Sequence, residues 1–305
     1  MATTKTNFAF ELLLLLTLAT LWGASYTFIK IGVETIPPIT LIAARTLIAG
    51  AILLAVIGWR GLSLPRDAAT WRRFVLQACL NSVFPFTMIA WAERTIDAGV
   101  AAILNSTTPI FAFLLTALIT RHEPSTARRF LGVVAGLTGT TLIIGFEALR
   151  GVCEQLVPQI AIVIATICYA GAAIFGKSFK DLDPIIPAAG SLISGAILLI
   201  PASLIIDQPW TLTPSPQSLI ALLCLSAFST ALAFAIYFRL IQTLGSVGAT
   251  AQAYVRVPVG VAIGVLFLGE TLSSTVWGGL VCIILGVAAM TIPARRILPA
   301  ALVKG

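Results

Sequence analysis

Arg256 stands in the middle of a long apolar stretch, and Gln252 precedes it by one helical turn. At that spacing the two side chains share one face of any helix built there. A guanidinium is expensive to bury in lipid, so a charge kept at such depth is a functional candidate. Its planar fork of donors matches a carboxylate. Asn105 lies 147 residues before Gln252, and the same interval carries Trp22 onto Tyr169. Polar side chains at two related mid-helix positions suit a central cavity. Asn81 and the run Ser106-Thr107-Thr108 add polar lining, and Tyr26, Trp91 and Tyr237 can add aromatic faces. The chemistry open to Trp22, Tyr26, Asn81, Asn105, Tyr169, Tyr237, Gln252 and Arg256 is recognition. Arg256 would hold the carboxylate of an amino acid or related organic acid, and Trp22, Tyr26 or Tyr169 would pack on its apolar part. Each residue also has a structural reading. Arg256 can satisfy carbonyls freed by Pro258 or pair with another helix. Amides can tie helices together, hydroxyls can bond back to their own helix, and aromatics near helix ends can form an interfacial belt.

Bond-breaking chemistry finds little footing. An intramembrane serine protease needs a histidine at the depth of its serine. Gly23-Ala24-Ser25 offers the serine, but the sole histidine, His122, falls in a loop. No HExxH run marks a metalloprotease, every Asp falls in a loop, and no GxxxxGK[ST] run marks a nucleotide site. The cysteines Cys79, Cys153, Cys168, Cys224 and Cys282 show no CxxC spacing, and four of the five sit in apolar runs. There a cysteine behaves as a small hydrophobe, so no metal, disulfide or other cofactor is expected. The net charge of +7 invites a nucleic-acid partner. The basic residues gather in alternate loops instead, which membrane topology explains without one.

The elements that must position these residues follow from composition. Hydrophobic residues make up 58% of the chain and charged ones 10%, against about 25% charged in globular domains. Such a chain cannot cover its apolar surface in water, so its medium is a lipid bilayer. A spanning helix needs about 20 apolar residues. Ten fit, at about 9–32, 38–58, 74–93, 98–120, 129–148, 157–176, 185–206, 218–238, 246–268 and 274–293. Pro37-Pro38, Pro65, Glu123-Pro124-Ser125, Asp181 to Pro184, Pro209 to Pro216 and Glu270 to Ser274 punctuate them. The first run lacks a strongly basic start and a clear cleavage site, so it is expected to remain as a helix.

Lys and Arg orient the spans. With the N-terminus inside, fourteen of the nineteen fall on the inner side and three on the outer, while Arg45 and Arg256 lie within helices. Both termini are therefore expected in the cytoplasm of a multi-pass protein of the cell (inner) membrane. The chain also repeats itself. Glu123, Gly132 and Gly139 return as Glu270, Gly279 and Gly286 at an interval of 147, and Gly50 to Leu54 returns as Gly195 to Leu199 at 145. This predicts two units, 1–150 and 151–305. Five helices per unit is an odd number, so the second unit enters from the opposite face. The expected fold is an all-α membrane protein of ten transmembrane helices in two inverted five-helix repeats, an arrangement that transporters use to expose a midplane site to each side alternately.

Three stretches carry a resemblance. Leu21-Trp22-Gly23-Ala24-Ser25-Tyr26-Thr27-Phe28-Ile29-Lys30 resembles the first helix of EamA-type members of the drug/metabolite transporter superfamily. Ile42-Ala43-Ala44-Arg45-Thr46-Leu47 is similar to their second helix, and Leu266-Phe267-Leu268-Gly269-Glu270-Thr271-Leu272 to the segment joining their ninth and tenth. The resemblance covers nearly the whole chain. It implies ten helices in two repeats and transport of small metabolites, often export of amino acids or toxic compounds. One place departs from the pattern. The family's ninth helix usually has Tyr, two apolar residues and Pro, whereas this chain has Tyr254-Val255-Arg256-Val257-Pro258.

The remaining buried charges are few. Arg45, where the family carries a similar arginine, can cap carbonyls or snorkel outward. Glu11, at the inner start of the first helix, can be an interfacial charge near a positive helix end or serve a proton. No carboxylate other than Glu11, near the inner edge, is expected at mid-membrane, so proton coupling lacks support and facilitated or exchange transport stays open. Gly132-x3-Gly136, Gly260-x3-Gly264 and the Gly278-Gly279 pair point to close helix packing. Pro85, Pro109 and Pro258 point to bends. The whole leads to a secondary transporter, not an enzyme, that exports a small-molecule substrate through the lipid bilayer. A channel, a non-transporting membrane protein and an importer are the alternatives.

Overall fold

The computed structural model describes residues 8–95, 101, 104–117, 127–144, 156–259 and 274–292, which are helical with short turns and contain no strand. Backbone groups in lipid find no water, so an apolar run satisfies its own N–H and C=O groups as helix. Helix α1 covers Phe8–Gly32, 25 residues, about 37 Å at 1.5 Å per residue. That exceeds a hydrocarbon core of about 30 Å. Next come α2 (Pro38–Trp59), α3 (Ala68–Ala92), α4 (Thr108–Leu115), α5 (Ala127–Ile144) and α6 (Leu156–Gly176). Then follow α7 (Ile185–Ile206), α8 (Pro216–Thr250), a segment at 252–259, and α9 (Ser274–Thr291). Among the described residues, six helices are long and apolar enough to cross a membrane: α1, α2, α3, α6 with its extension to Phe179, α7 and α8. Leu13, Leu16, Ile197, Ile205, Ile220 and Ile284 are exposed on the outside of the bundle, where lipid tails would cover them.

Local signals set the ends. Pro38 and Pro216 occupy first-turn positions of α2 and α8, where a missing N–H costs nothing. Asp67 caps α3 by accepting from the Thr70 N–H at 2.7 Å, and this bond holds its exposed carboxyl below the usual range. The cap explains why α3 begins at Ala68 rather than at the expected 74. Both α3 and α8 contain a π-helical turn, at Cys79–Val83 and Ala227–Leu232. Gly245, at φ 79° and ψ 176°, breaks α8 in a region of backbone space that other residues avoid. The expected gap between spans at 239–245 is therefore helix up to a single glycine.

Helix α5 packs along α9, α2 along α7, the second half of α3 against α6, and α1 against α8. The first pair touches by backbone. A Cβ on Gly132 would stand 2.8 Å from the Gly286 carbonyl oxygen, and one on Gly286 would stand 2.7 Å from that of Gly132. Gly139 approaches the Gly279 carbonyl in the same way, and Gly136 lies against the Tyr254 ring. Gly278, expected to share this packing, faces open space. Gly260, Gly264, Glu123, Glu270 and Cys153 lie outside the described residues.

Polar bonds close both ends of the bundle. At one end Arg239 donates to Glu11 at 2.8 Å and the Thr243 hydroxyl donates to the same carboxylate at 2.9 Å. Arg60 pairs with Asp183 at 3.1 Å nearby in the sequence register of α2 and α7. At the other end of α2, the Thr40 N–H donates to Asp207 at 2.8 Å, and its hydroxyl bonds Ser203 at 2.7 Å.

Candidate substrate site

Trp22, Ser25, Tyr26 and Ile29 fall on one stripe of α1, at the helical spacing of three and four. That stripe forms one wall of a cavity in the bundle. Arg45 of α2, Asn81 and Phe86 of α3, and Asn105 and Thr108 at the start of α4 add further walls. Tyr169 of α6, Tyr237 of α8, and Gln252 with Arg256 from 252–259 complete it. All eight candidate residues thus meet around one space. The cavity is narrow, with a volume of about 40 Å³.

The polar groups form a chain. The Arg256 Nε donates to Gln252 Oε1 at 2.8 Å, and its Nη1 donates to the Tyr26 hydroxyl at 2.8 Å. The Asn105 amide donates to that same hydroxyl, and the Asn105 Oδ1 accepts from Thr108 at 3.0 Å. The guanidinium carbon lies 5.4 Å from the centre of the Trp22 ring and 5.8 Å from that of Tyr26. Trp22 is itself fixed, by Tyr237 at 5.2 Å between ring centres and by donating its indole N–H to the Ser229 carbonyl at 3.1 Å. Among the described residues, Arg256 spends its bonds on side chains of the cavity wall and has none to carbonyls freed by Pro258.

The π turns explain the accepting carbonyl. An extra residue in a helical turn displaces the hydrogen-bond ladder and leaves groups free for other partners. In α8 the Ser229 carbonyl takes Trp22 and, at 3.4 Å, Arg45 Nη2, while the Thr230 hydroxyl takes Arg45 Nε at 2.6 Å. Arg45 is fully buried with its guanidinium 3.8 Å above the Phe86 ring, so it does not snorkel. It caps a carbonyl, as one reading holds, and also faces the cavity. Its Nη1 and the Asn81 Nδ2 are buried without a hydrogen-bond partner.

Three residues expected on the cavity wall, Trp91, Ser106 and Thr107, lie off it. Trp91 is 43% exposed and is not part of the cavity wall. Thr107 bonds back to the Leu104 carbonyl at 2.6 Å, the local option open to a hydroxyl. Ser25, Ile29, Phe86 and Thr250 line the cavity without having been expected there. The first two were recoverable from the stripe that Trp22 and Tyr26 begin. Phe86 and Thr250 carry no signal in sequence. Among the described residues, no group of three His, Cys, Asp or Glu side chains gathers to hold a metal.

Several proteins of similar sequence are named as transporters. The chain is 28% identical over 272 residues to "Uncharacterized inner membrane transporter YedA" of Escherichia coli (strain K12), covering 89% of this chain and 87% of that protein. It is 24% identical over 278 residues to "Uncharacterized transporter YoaV" of Bacillus subtilis (strain 168), covering 90% and 94%. A solved crystal structure matches with a TM-score of 0.75 at 18% identity, over 94% of this chain and 99% of that one, a likeness of fold alone. The pattern of the EamA-like transporter family matches residues 9–145 and, a second time, 157–292. On that double match the chain is a multi-pass membrane protein and belongs to the EamA-like transporter family.

Proposed function

We propose that the protein exports a small solute carrying a carboxylate, an amino acid or related organic acid, by alternating access around the central cavity. The observation that carries this reading is Arg256. Its guanidinium lies over Trp22 and Tyr26, is oriented by Gln252 and the Tyr26 hydroxyl, and keeps Nη2 free of bonds to the described residues. An oriented fork beside aromatic faces suits a carboxylate with an apolar part. The unbonded Arg45 Nη1 and Asn81 Nδ2 are donors without acceptors on residues of the cavity wall, which favours an anionic group again.

Alternating access rests on ten helices in two inverted five-helix repeats, 1–150 and 151–305. Three observations support it. The family pattern matches twice. The glycine contacts run crosswise: Gly132 meets Gly286 while Gly139 meets Gly279, as a two-fold axis between repeat-related residues requires. The packing pairs follow the same rule, with α2 on α7, α5 on α9, and α1 on α8 matched by α3 on α6. The fourteen-to-three division of Lys and Arg supports cytoplasmic termini.

The test is counterflow. Purified protein in phospholipid vesicles, without ATP, should accelerate exchange of labelled amino acids or small organic acids, with saturation. Linear, non-saturating flux would instead identify a channel. Export is checked separately, by comparing metabolites in the medium of cells with and without the protein; depletion from the medium would point to an importer.

A further inference from the structure

Glu93 directly follows α3 and is completely buried, yet neither of its carboxylate oxygens accepts a hydrogen bond. Glu11, equally buried, shows the contrast: Arg239 and Thr243 both donate to it. An ionised carboxylate buried without such partners is strongly unfavourable, and taking up a proton removes that cost. Among the described residues, the charged and titratable groups that act on Glu93 come from two other helices. Lys30 of α1 donates its Nζ to the Glu93 backbone carbonyl at 2.7 Å. Lys30 and Arg45 of α2 are the cations near enough to act on the carboxylate, and Tyr26 of α1 is coupled to it as well. Arg45 holds Thr230 and Ser229 through Nε and Nη2, while its Nη1 is unbonded. A buried acid and a buried cation therefore lie in one cluster, each with unused hydrogen-bonding capacity. Arg45 lines the cavity, whereas Glu93 does not.

We propose that Glu93 is a proton-binding site, coupled to the substrate cavity through Arg45. When ionised, the carboxylate competes for the Arg45 guanidinium. When a proton from water has neutralised it, the free Arg45 Nη1 is left to an anion in the cavity. Proton and carboxylate then bind cooperatively, and by linkage each raises the affinity for the other equally. The cavity half of this statement rests on the carboxylate reading above; the proton site stands without it.

Infrared difference spectroscopy of the purified protein in phospholipid vesicles reads the C=O band of a protonated buried acid. A pH titration should show one such band in the wild type and in Glu11→Gln, and none in Glu93→Gln. Adding formate, the smallest carboxylate, should move the midpoint to higher pH relative to equal chloride, and Arg45→Gln should abolish that movement. Should Glu93→Gln fail to fold, Glu93→Asp serves instead, and a shifted band frequency assigns it. A titrating band that survives Glu93→Gln, a band unchanged in Glu93→Asp, or no such band in the wild type overturns the proton site. A band that titrates but ignores formate, or responds to it equally in Arg45→Gln, overturns the coupling, whatever the counterflow assay finds.

Discussion

Arg256 donates to the hydroxyl of Tyr26 at 2.8 Å, across 230 positions of sequence. The bond joins the first helix to the segment at 252–259 and sets the guanidinium against the cavity. Tyr26 is buried and also receives the Asn105 amide, so one hydroxyl orients two of the groups assigned to the solute.

Arg256→Lys keeps the charge and loses the fork. An ammonium cannot hold Gln252, Tyr26 and a carboxylate in the same plane. The variant should fold and insert normally while its affinity for carboxylate solutes falls by about tenfold or more, equivalent to about 1.4 kcal/mol. Counterflow at graded solute concentration measures this. Unchanged affinity would make Arg256 a purely structural residue.

Tyr26→Phe keeps the ring and removes the shared acceptor. The Arg256 Nη1 and the Asn105 amide lose their partner in a buried setting, at about 1–3 kcal/mol. Thermal unfolding in detergent should shift down, and solute affinity should fall with it. Tyr237→Phe, which leaves the Trp22 ring contact in place, is the control that should change little.

Gly286→Leu tests the crossing of α5 and α9. Even a Cβ there would stand 2.7 Å from the Gly132 oxygen, so the helices must separate. Overpacking of this kind costs about 1–3 kcal/mol or more. The same change at Gly278, which faces open space, should be tolerated. Equal loss of stability at both positions would contradict the packing described.

Orientation is open to a labelling experiment. Cys153 is the only cysteine expected outside a span, while Cys79, Cys168, Cys224 and Cys282 are partly buried in helices. A membrane-impermeant thiol reagent should label Cys153 in intact cells. Labelling only after lysis, together with an external reporter fused near Arg72, would reverse the topology.

Composition and periodicity determined that this chain is a helical membrane protein, because apolar helix is what lipid permits. They also placed the stripe that begins with Trp22 and Tyr26, and the Arg256–Gln252 pair, since local spacing alone puts such residues on one face. Glu93 was not legible as a buried acid, because it closes the span expected at 74–93, where a charge ordinarily meets the membrane surface. Only packing buries it, by bringing α1 and α2 against the end of α3. Arg45 was legible as an arginine in a helix, but not as a partner of Ser229 and Thr230, because a π turn distant in sequence supplies those groups. The sequence decides which side chains can share a helix face. Which faces meet, and which buried groups are left without partners, is decided by contacts between helices far apart along the chain, which no local spacing encodes.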